Sequence, residues 1–254
     1  MQNTRAATLG RASLEGSRAI GFVPDARLTE GATVVRFEQR ERSERVDRAV
    51  NLALAVVATV AVAPLMTLVA LAVKLTSPGP VFYSQTRVGR DRRGMGAAAD
   101  GERRSRNSGG ELFTIYKFRS MRTDAEAGGA AVWAVQNDPR VTPVGSFIRR
   151  TRLDELPQLF NVIRGEMSIV GPRPERPQIF GELAEQIPEY ALRARAKPGI
   201  TGLAQINHTY DSCIGGVRVK VRYDLEYLQT ATIWTDLRIM VMTIPVMLLR
   251  RGGW

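Results

Sequence analysis

The stretch VNLALAVVATVAVAPLMTLVALAVKL, residues 50–75, decides what kind of molecule this is. From Leu52 to Val73 it carries no charge over about 22 residues, enough to match the hydrocarbon core of a bilayer. About 50 residues precede it and no small-residue cleavage site follows, so it is not read as a signal peptide. Arg40, Arg42, Arg45 and Arg48 lie on one side; Lys74, Arg87, Arg90, Arg92 and Arg93 lie on the other. Both flanks therefore prefer the cytoplasmic side, which a single crossing does not satisfy. Pro64 sits near the middle, where it removes a backbone donor and clashes with the preceding turn. Two readings follow: a hairpin that breaks near Pro64 and returns to the face it entered, or an ordinary kinked transmembrane helix.

Outward from this segment, residues 1–45 are mixed in charge, rich in Ala and Arg, and weakly periodic, which predicts a flexible basic extension. SPGP (77–80) stops the helix. VFYSQTRV (81–88) and ELFTIYKFRSM (111–121) are β-branched and aromatic-rich, as strands are. The Gly/Arg/Ser-rich run between them, 91–110, predicts a mobile basic loop closing a long hairpin. Residues 122–141 give no periodic signal. TPVGSFIRR (142–150) predicts a short helix, and Leu156, Leu159, Phe160 and Ile163 recur as one buried face of the next. SIVGPRPERP and AKPGITGLAQI (196–206) are strand-to-turn passages, and two helices are expected near 216–229 and 232–250. The last is apolar on most faces, interrupted by Asp236, Arg238 and Pro245, and is read as an interfacial helix over 231–251. The expected fold class is α+β, mainly helical with a small β-hairpin or sheet, divided into 1–45, a membrane helix at 46–76, and a catalytic domain at 77–254.

Composition narrows the partners. Of 254 residues, 44% are apolar, and 36 Lys and Arg against 25 Asp and Glu give a net charge of +11. Such a chain attracts an anionic partner: nucleic acid, an acidic membrane surface or a phosphorylated substrate. The single cysteine, Cys213, excludes a disulfide framework, and the single histidine, His208, leaves no zinc site of the usual spacing.

The residues with the most chemistry are in TRLDELPQLFNVIRGEMSIVGPRP, 151–174. Asp154 and Glu155 are adjacent at an expected helix start, among arginines. The plain reading is a helix cap, since acidic residues favour the first turn. On that reading the helix dipole and the arginines hold the Asp154 pKa low. The functional reading is that an ionised Asp154 attacks phosphorus and carries a covalent intermediate. Glu155 then supplies a ligand to Mg²⁺, which typically takes one or two carboxylates and substrate phosphates. Arg87, Arg119, Arg149 and Arg173 are available as bidentate phosphate clamps, or as solvated charges or headgroup contacts. PGITG offers backbone N–H groups to an anion.

Three motifs, YKFRSMRTDAE, LDELPQLFNVIRGEMSIVGPRP and KPGITGLAQIN, occur in the order and spacing of the bacterial sugar transferases, the monotopic phosphoglycosyl transferases of glycoconjugate assembly. The chain resembles that family from about Val46 to Arg251. The resemblance implies transfer of a phosphosugar from a UDP-sugar to undecaprenyl phosphate with release of UMP, using Mg²⁺ and a covalent intermediate on Asp154. It implies Glu155 as the Mg²⁺ ligand and places Arg149 and Arg173 at phosphate-facing positions. Lys117, Arg119 and Asp224 fall on further recurrent positions. It also implies a re-entrant membrane helix, inner-membrane lipid as a partner and a catalytic domain on the cytoplasmic face of the bacterial inner membrane.

The chain departs from the pattern in three places. Ala63 stands before Pro64 where the family often has Ser, so Thr59 or Thr67 is the expected donor to a freed carbonyl. The 91–110 insertion is longer than the family minimum, and the large multi-span N-terminal module of some members is not expected. Rival readings find less support. There is no Asp-x-Asp triplet for a direct-displacement glycosyltransferase, and no Gly-x-Gly-x-x-Gly after a strand. A non-catalytic, membrane-tethered nucleic-acid-binding module leaves the membrane segment unexplained and lacks aromatics among the arginines.

Overall fold

The apolar stretch becomes the largest element of the fold. In a computed structural model, which describes residues 39–40, 42–91, 109–125, 138–208 and 214–248, helix α1 runs from Glu44 to Thr76. At 33 residues it is about 50 Å long. Glu44 and Asp47 in its first turn and Lys74 in its last complement the helix dipole. Pro64 lies inside it without interrupting the helix. Proline frees the carbonyl four residues back, at Val60, but neither expected threonine serves it. Thr59 Oγ1 donates to Ala55 O at 2.7 Å and Thr67 Oγ1 to Ala63 O at 2.9 Å. Each bonds its own i−4 carbonyl, as helical threonines do when their hydroxyl has nowhere else to go.

Only one narrow stripe of α1 is covered by protein: Ala55, Met66, Val69 and Val73 are its buried residues. Ala55 packs with Phe113, Ile115, Leu159, Val162 and Met167, and the other three pack with Phe118 and Ile148. Polar contacts extend the stripe to both ends. Arg48 donates to Val162 O at 2.6 Å and to Ile163 O at 2.5 Å, capping the end of a helix described below. Asn51 Oδ1 accepts from Ile169 N at 2.7 Å. At the far end, Arg119 donates to Ser77 O and Pro78 O, both at 2.8 Å.

Strands β1 (Phe82–Val88) and β2 (Leu112–Phe118) form the expected antiparallel hairpin, with Phe82 opposite Phe118 and Val88 opposite Leu112. The Phe82 and Phe118 rings stack at 5.3 Å. Helix α2 (Pro143–Arg150) starts at Thr142, whose side chain accepts from Gly145 N at 2.9 Å. Gly145 is obligatory there, because a Cβ would lie 1.8 Å from Ser120 O.

Helix α3 (Gln158–Arg164) buries Gln158, Leu159, Asn161 and Val162, whereas Phe160 is 38% exposed. The face expected from Leu156, Leu159, Phe160 and Ile163 is thus rotated, and the cause is Asn161. Its Nδ2 donates to Thr114 O at 2.6 Å and to Glu166 Oε2 at 2.7 Å, and its Oδ1 accepts from Tyr116 N at 3.2 Å. A buried amide with such partners is tolerated because its polar atoms are satisfied, and here it ties α3 to β2.

Strand-to-turn passages were expected at both SIVGPRPERP and AKPGITGLAQI, but not their pairing into a second sheet. β3 (Ser168–Val170) and β4 (Gly199–Thr201) pair in parallel, three residues each, too short to show alternation in sequence. Helices α4 (Pro177–Gln186), α5 (Leu203–Asn207), α6 (Ile214–Thr230) and α7 (Ile233–Leu248) complete the order, with a 3₁₀ segment at Pro188–Arg195. Phe180, Tyr190, Val217 and Val221 form the core between α4, that segment and α6. Phe37–Trp254 forms one compact unit. Most of the expected 1–45 extension and most of the 91–110 loop, with Cys213, lie outside the described residues; Arg40 and Arg42 are held against Leu228 and Asp236, and Glu44 and Arg45 already belong to α1.

Candidate active site

Asp154 and Glu155 do not cap a helix. They lie in a 3₁₀ turn, Leu153–Glu155, and α3 begins three residues later behind Pro157. Arg152, just before them, has φ 58°, the only non-glycine residue with positive φ among those described. A left-handed arginine costs of order 1–3 kcal/mol unless its surroundings hold it. It turns the chain so that both carboxylates point inward: Asp154 is 8% exposed and Glu155 7%.

The two carboxylates meet different surroundings. Glu155 is enclosed by cations from three elements. Lys117 Nζ on β2 donates to its Oε1 at 3.1 Å, and Arg173, in the turn after β3, grips both oxygens, with Nη1 3.3 Å from Oε2. Arg152 Nη1 is 4.0 Å from Oε1. Burial opposes ionisation of Glu155, but Arg173 and Lys117 overcome it and hold its pKa well below the usual carboxylate range. Asp154 has no hydrogen bond to its side chain among the described residues. Burial, then the charge of Glu155, raises its pKa to about 6 against the pull of Lys117, Arg173 and Arg149. The low pKa expected for Asp154 is therefore found on its neighbour, because the cations are spent on Glu155. Burial likewise lowers the pKa of Lys117, with Glu155 opposing.

A further layer positions Arg173. Arg193, buried in the 3₁₀ segment, donates to Arg173 O at 3.1 Å, to Asp224 Oδ2 at 2.7 Å and to Tyr190 Oη at 2.7 Å. Asp224 thus reaches the site only through Arg193. Arg87 is turned to Glu175 Oε1 at 3.2 Å and Pro174 O at 3.3 Å, one step behind Arg173, with Nε buried and unpartnered. Of the arginines considered as phosphate clamps, Arg173 bonds Glu155 directly, Arg149 reaches Asp154 through its charge alone, and Arg87 lies behind the dyad. Arg119 is not brought there: it is 5% exposed and bound to the end of α1. Sequence reasoning missed Arg152, Arg193 and Asn161. The first two were visible only as further arginines in a basic chain, and the third as a polar residue in an apolar helix.

Among the described residues no group of three or more His, Cys, Asp and Glu side chains could hold a metal ion. The donors available to a divalent cation are the two dyad carboxylates, an oxygen set that suits Mg²⁺ only when phosphates and water complete it.

A model of the bacterial sugar transferases matches residues 42–250. The chain belongs to the bacterial sugar transferase family. The match includes α1, both sheets and the dyad. Among the family's named members, the chain is 43% identical over 212 residues to the undecaprenyl-phosphate glucose phosphotransferase of Komagataeibacter xylinus, a match covering 82% of this chain and 36% of that one. It is 39% identical over 208 residues to the UDP-N-acetylgalactosamine-undecaprenyl-phosphate N-acetylgalactosaminephosphotransferase of Aeromonas hydrophila, covering 82% and 45%. With the exopolysaccharide production protein PSS of Rhizobium leguminosarum bv. phaseoli it shares 38% over 202 residues, covering 78% and 92%. The chain thus spans less than half the length of the first two relatives.

Proposed function

We propose that this chain is a phosphoglycosyl transferase that moves a phosphosugar from a UDP-sugar to undecaprenyl phosphate. The observation that carries the reading is the division of labour in the dyad. One carboxylate is fully engaged by Lys117 and Arg173, while its neighbour is buried, unbonded and within their field. In the first step an Asp154 oxygen bonds to the phosphorus attached to the sugar, and the bond from that phosphorus to UMP breaks. In the second, a phosphate oxygen of undecaprenyl phosphate attacks the same phosphorus and Asp154 leaves, restoring its carboxylate. No net proton is consumed. Arg173 and Arg149 balance charge on the phosphate oxygens. Mg²⁺, held by Glu155 with the diphosphate, would neutralise charge on the departing UMP. To hold it, Glu155 would have to give up part of its contact with Lys117 or Arg173.

The same reading places the chain at the cytoplasmic face of the bacterial inner membrane, with α1 as a re-entrant anchor. Two features support this. α1 is attached to the catalytic body along its length, from Arg48 to Ser77, so both ends stay with one body. Its opposite surface exposes Val57, Val60, Leu68, Leu71 and Leu75, between 54% and 75%. α7 adds exposed Trp234, Val241 and Ile244. Water disfavours such a contiguous apolar surface, and a membrane accepts it.

The test is UMP release by the detergent-solubilised chain with undecaprenyl phosphate, Mg²⁺ and a panel of UDP-sugars that includes the glucose and N-acetylgalactosamine donors. Release with one donor, lost in Asp154→Asn, is the expected result. Full activity in Asp154→Asn would reject the covalent role.

A further inference from the structure

A cavity of about 720 Å³ lies at the start of α1, walled by α1, β3, the end of the 3₁₀ segment Pro188–Arg195 with the residues after it, and the end of α6. None of Asp154, Glu155, Lys117, Arg149 or Arg173 lines it. Seven basic side chains do, against two acidic ones, Glu44 and Asp47. Arg48 and Arg42 are engaged in holding the walls: Arg48 on the end of α3, and Arg42 on Asp47 at 2.7 Å and Asp236 at 2.9 Å. Arg40 and Arg45 line the cavity and are exposed, and Lys197 stands on the opposite wall.

The setting identifies what such a cavity takes. Arg40 N donates to Leu228 O at 3.1 Å, and Arg42 pairs with Asp236 at the start of α7. These contacts bring the charged end of α1 to the junction of α6 and α7. From that junction two uncovered apolar surfaces depart, α1 through Val46 and Val57, and α7 through Ile233 and Trp234. A basic cavity at the root of two apolar faces has the form required by an amphiphile with a phosphate head. We infer that this cavity is a binding site for the phosphate headgroup of an anionic phospholipid, separate from the reacting centre. The headgroup meets Arg40 and Arg45, and the acyl chains lie along α1 and α7. Cations near an anionic lipid surface favour binding to it, so the site would fix the depth of the chain beside its lipid substrate. The inference rests on the membrane placement proposed above, not on the reaction.

The experiment is calorimetric titration of the full chain in neutral detergent with short-chain phosphatidylglycerol, and in parallel with phosphatidylcholine of the same chain length. Arg40→Ala/Arg45→Ala is titrated alongside, and inorganic phosphate is tried as a competitor. We expect tighter binding of phosphatidylglycerol, a loss of about tenfold or more in the double variant with phosphatidylcholine unchanged, and no displacement by phosphate. Equal binding of the two lipids, or an unchanged double variant, overturns the site. Displacement by phosphate overturns the lipid assignment in favour of a soluble phosphate compound. Should the double variant melt below the wild type, Arg45→Glu alone, on the exposed face of α1, serves the same purpose. UMP release measured on the same samples separates the readings: release that persists while lipid discrimination is absent rejects only this site, and its absence with discrimination intact rejects only the transferase.

Discussion

At the residue scale, the dyad is two carboxylates made unlike by their neighbours. Asp154 is the costlier one to ionise, because it is buried and its nearest cations are already satisfied by Glu155. The acid limb of kcat/KM against pH should therefore have its midpoint near 6, where Asp154 ionises, and a pH–rate profile from 4.5 to 8 checks it. Stability moves oppositely for the two. A carboxyl whose pKa is raised on folding contributes stability below its unfolded pKa, and that contribution is lost as pH rises through about 6. The depressed Glu155 contributes above its unfolded value, and its contribution is lost as pH falls through its folded pKa. Asp154→Asn should therefore leave the Tm at pH 7.5 unchanged or higher, whereas Glu155→Gln, which strands Lys117 and Arg173, should lower stability by about 3–5 kcal/mol. Urea unfolding at that pH compares them. Asp224→Asn should be comparably costly, since Arg193 is 3% exposed and Asp224 2%. The motif made the dyad legible in the sequence. Its pKa order was not, because that depends on which carboxylate Lys117 and Arg173 reach across 38 and 18 residues of chain.

At the scale of elements, the hairpin, α2 and the last two helices were readable because each has a strong period and clear stops. The β3–β4 pairing was not, because three-residue strands carry no period and it joins residues 31 apart, Ser168 to Gly199 and Val170 to Thr201. α3 was readable in place but not in orientation: hydropathy turns Phe160 inward, and three hydrogen bonds turn Asn161 inward instead. Asn161→Leu, of the same branching but bulkier and without polar atoms, should detach β2 from α3 and cost about 2 kcal/mol or more by stranding Thr114 O and Tyr116 N and overfilling the site, read as a loss of Tm. For α1, the re-entrant proposal makes a topological prediction. In a Cys213→Ser background, Ser43→Cys and Thr76→Cys should both react with an impermeant maleimide from the same side of sealed membrane vesicles. Labelling from opposite sides would establish a spanning helix and remove the hairpin.

At the scale of the whole molecule, the net charge of +11 suits an anionic partner, and the uncovered faces of α1 and α7 leave apolar surface that suits a membrane. Charge and hydropathy along the chain foretold that surface. They did not foretell that α1 would be fastened to the body along its length, which needs Arg48, Asn51 and Arg119 to find backbone partners far away in sequence. The measurement that bears most directly on the central claim is intact-protein mass spectrometry of the chain after brief exposure to its UDP-sugar without acceptor. The account predicts an added phosphosugar mass, located on Asp154 by peptide mapping, discharged by undecaprenyl phosphate, and absent from Asp154→Asn. UMP release with no adduct at any time, or an adduct that forms equally in Asp154→Asn, would contradict it.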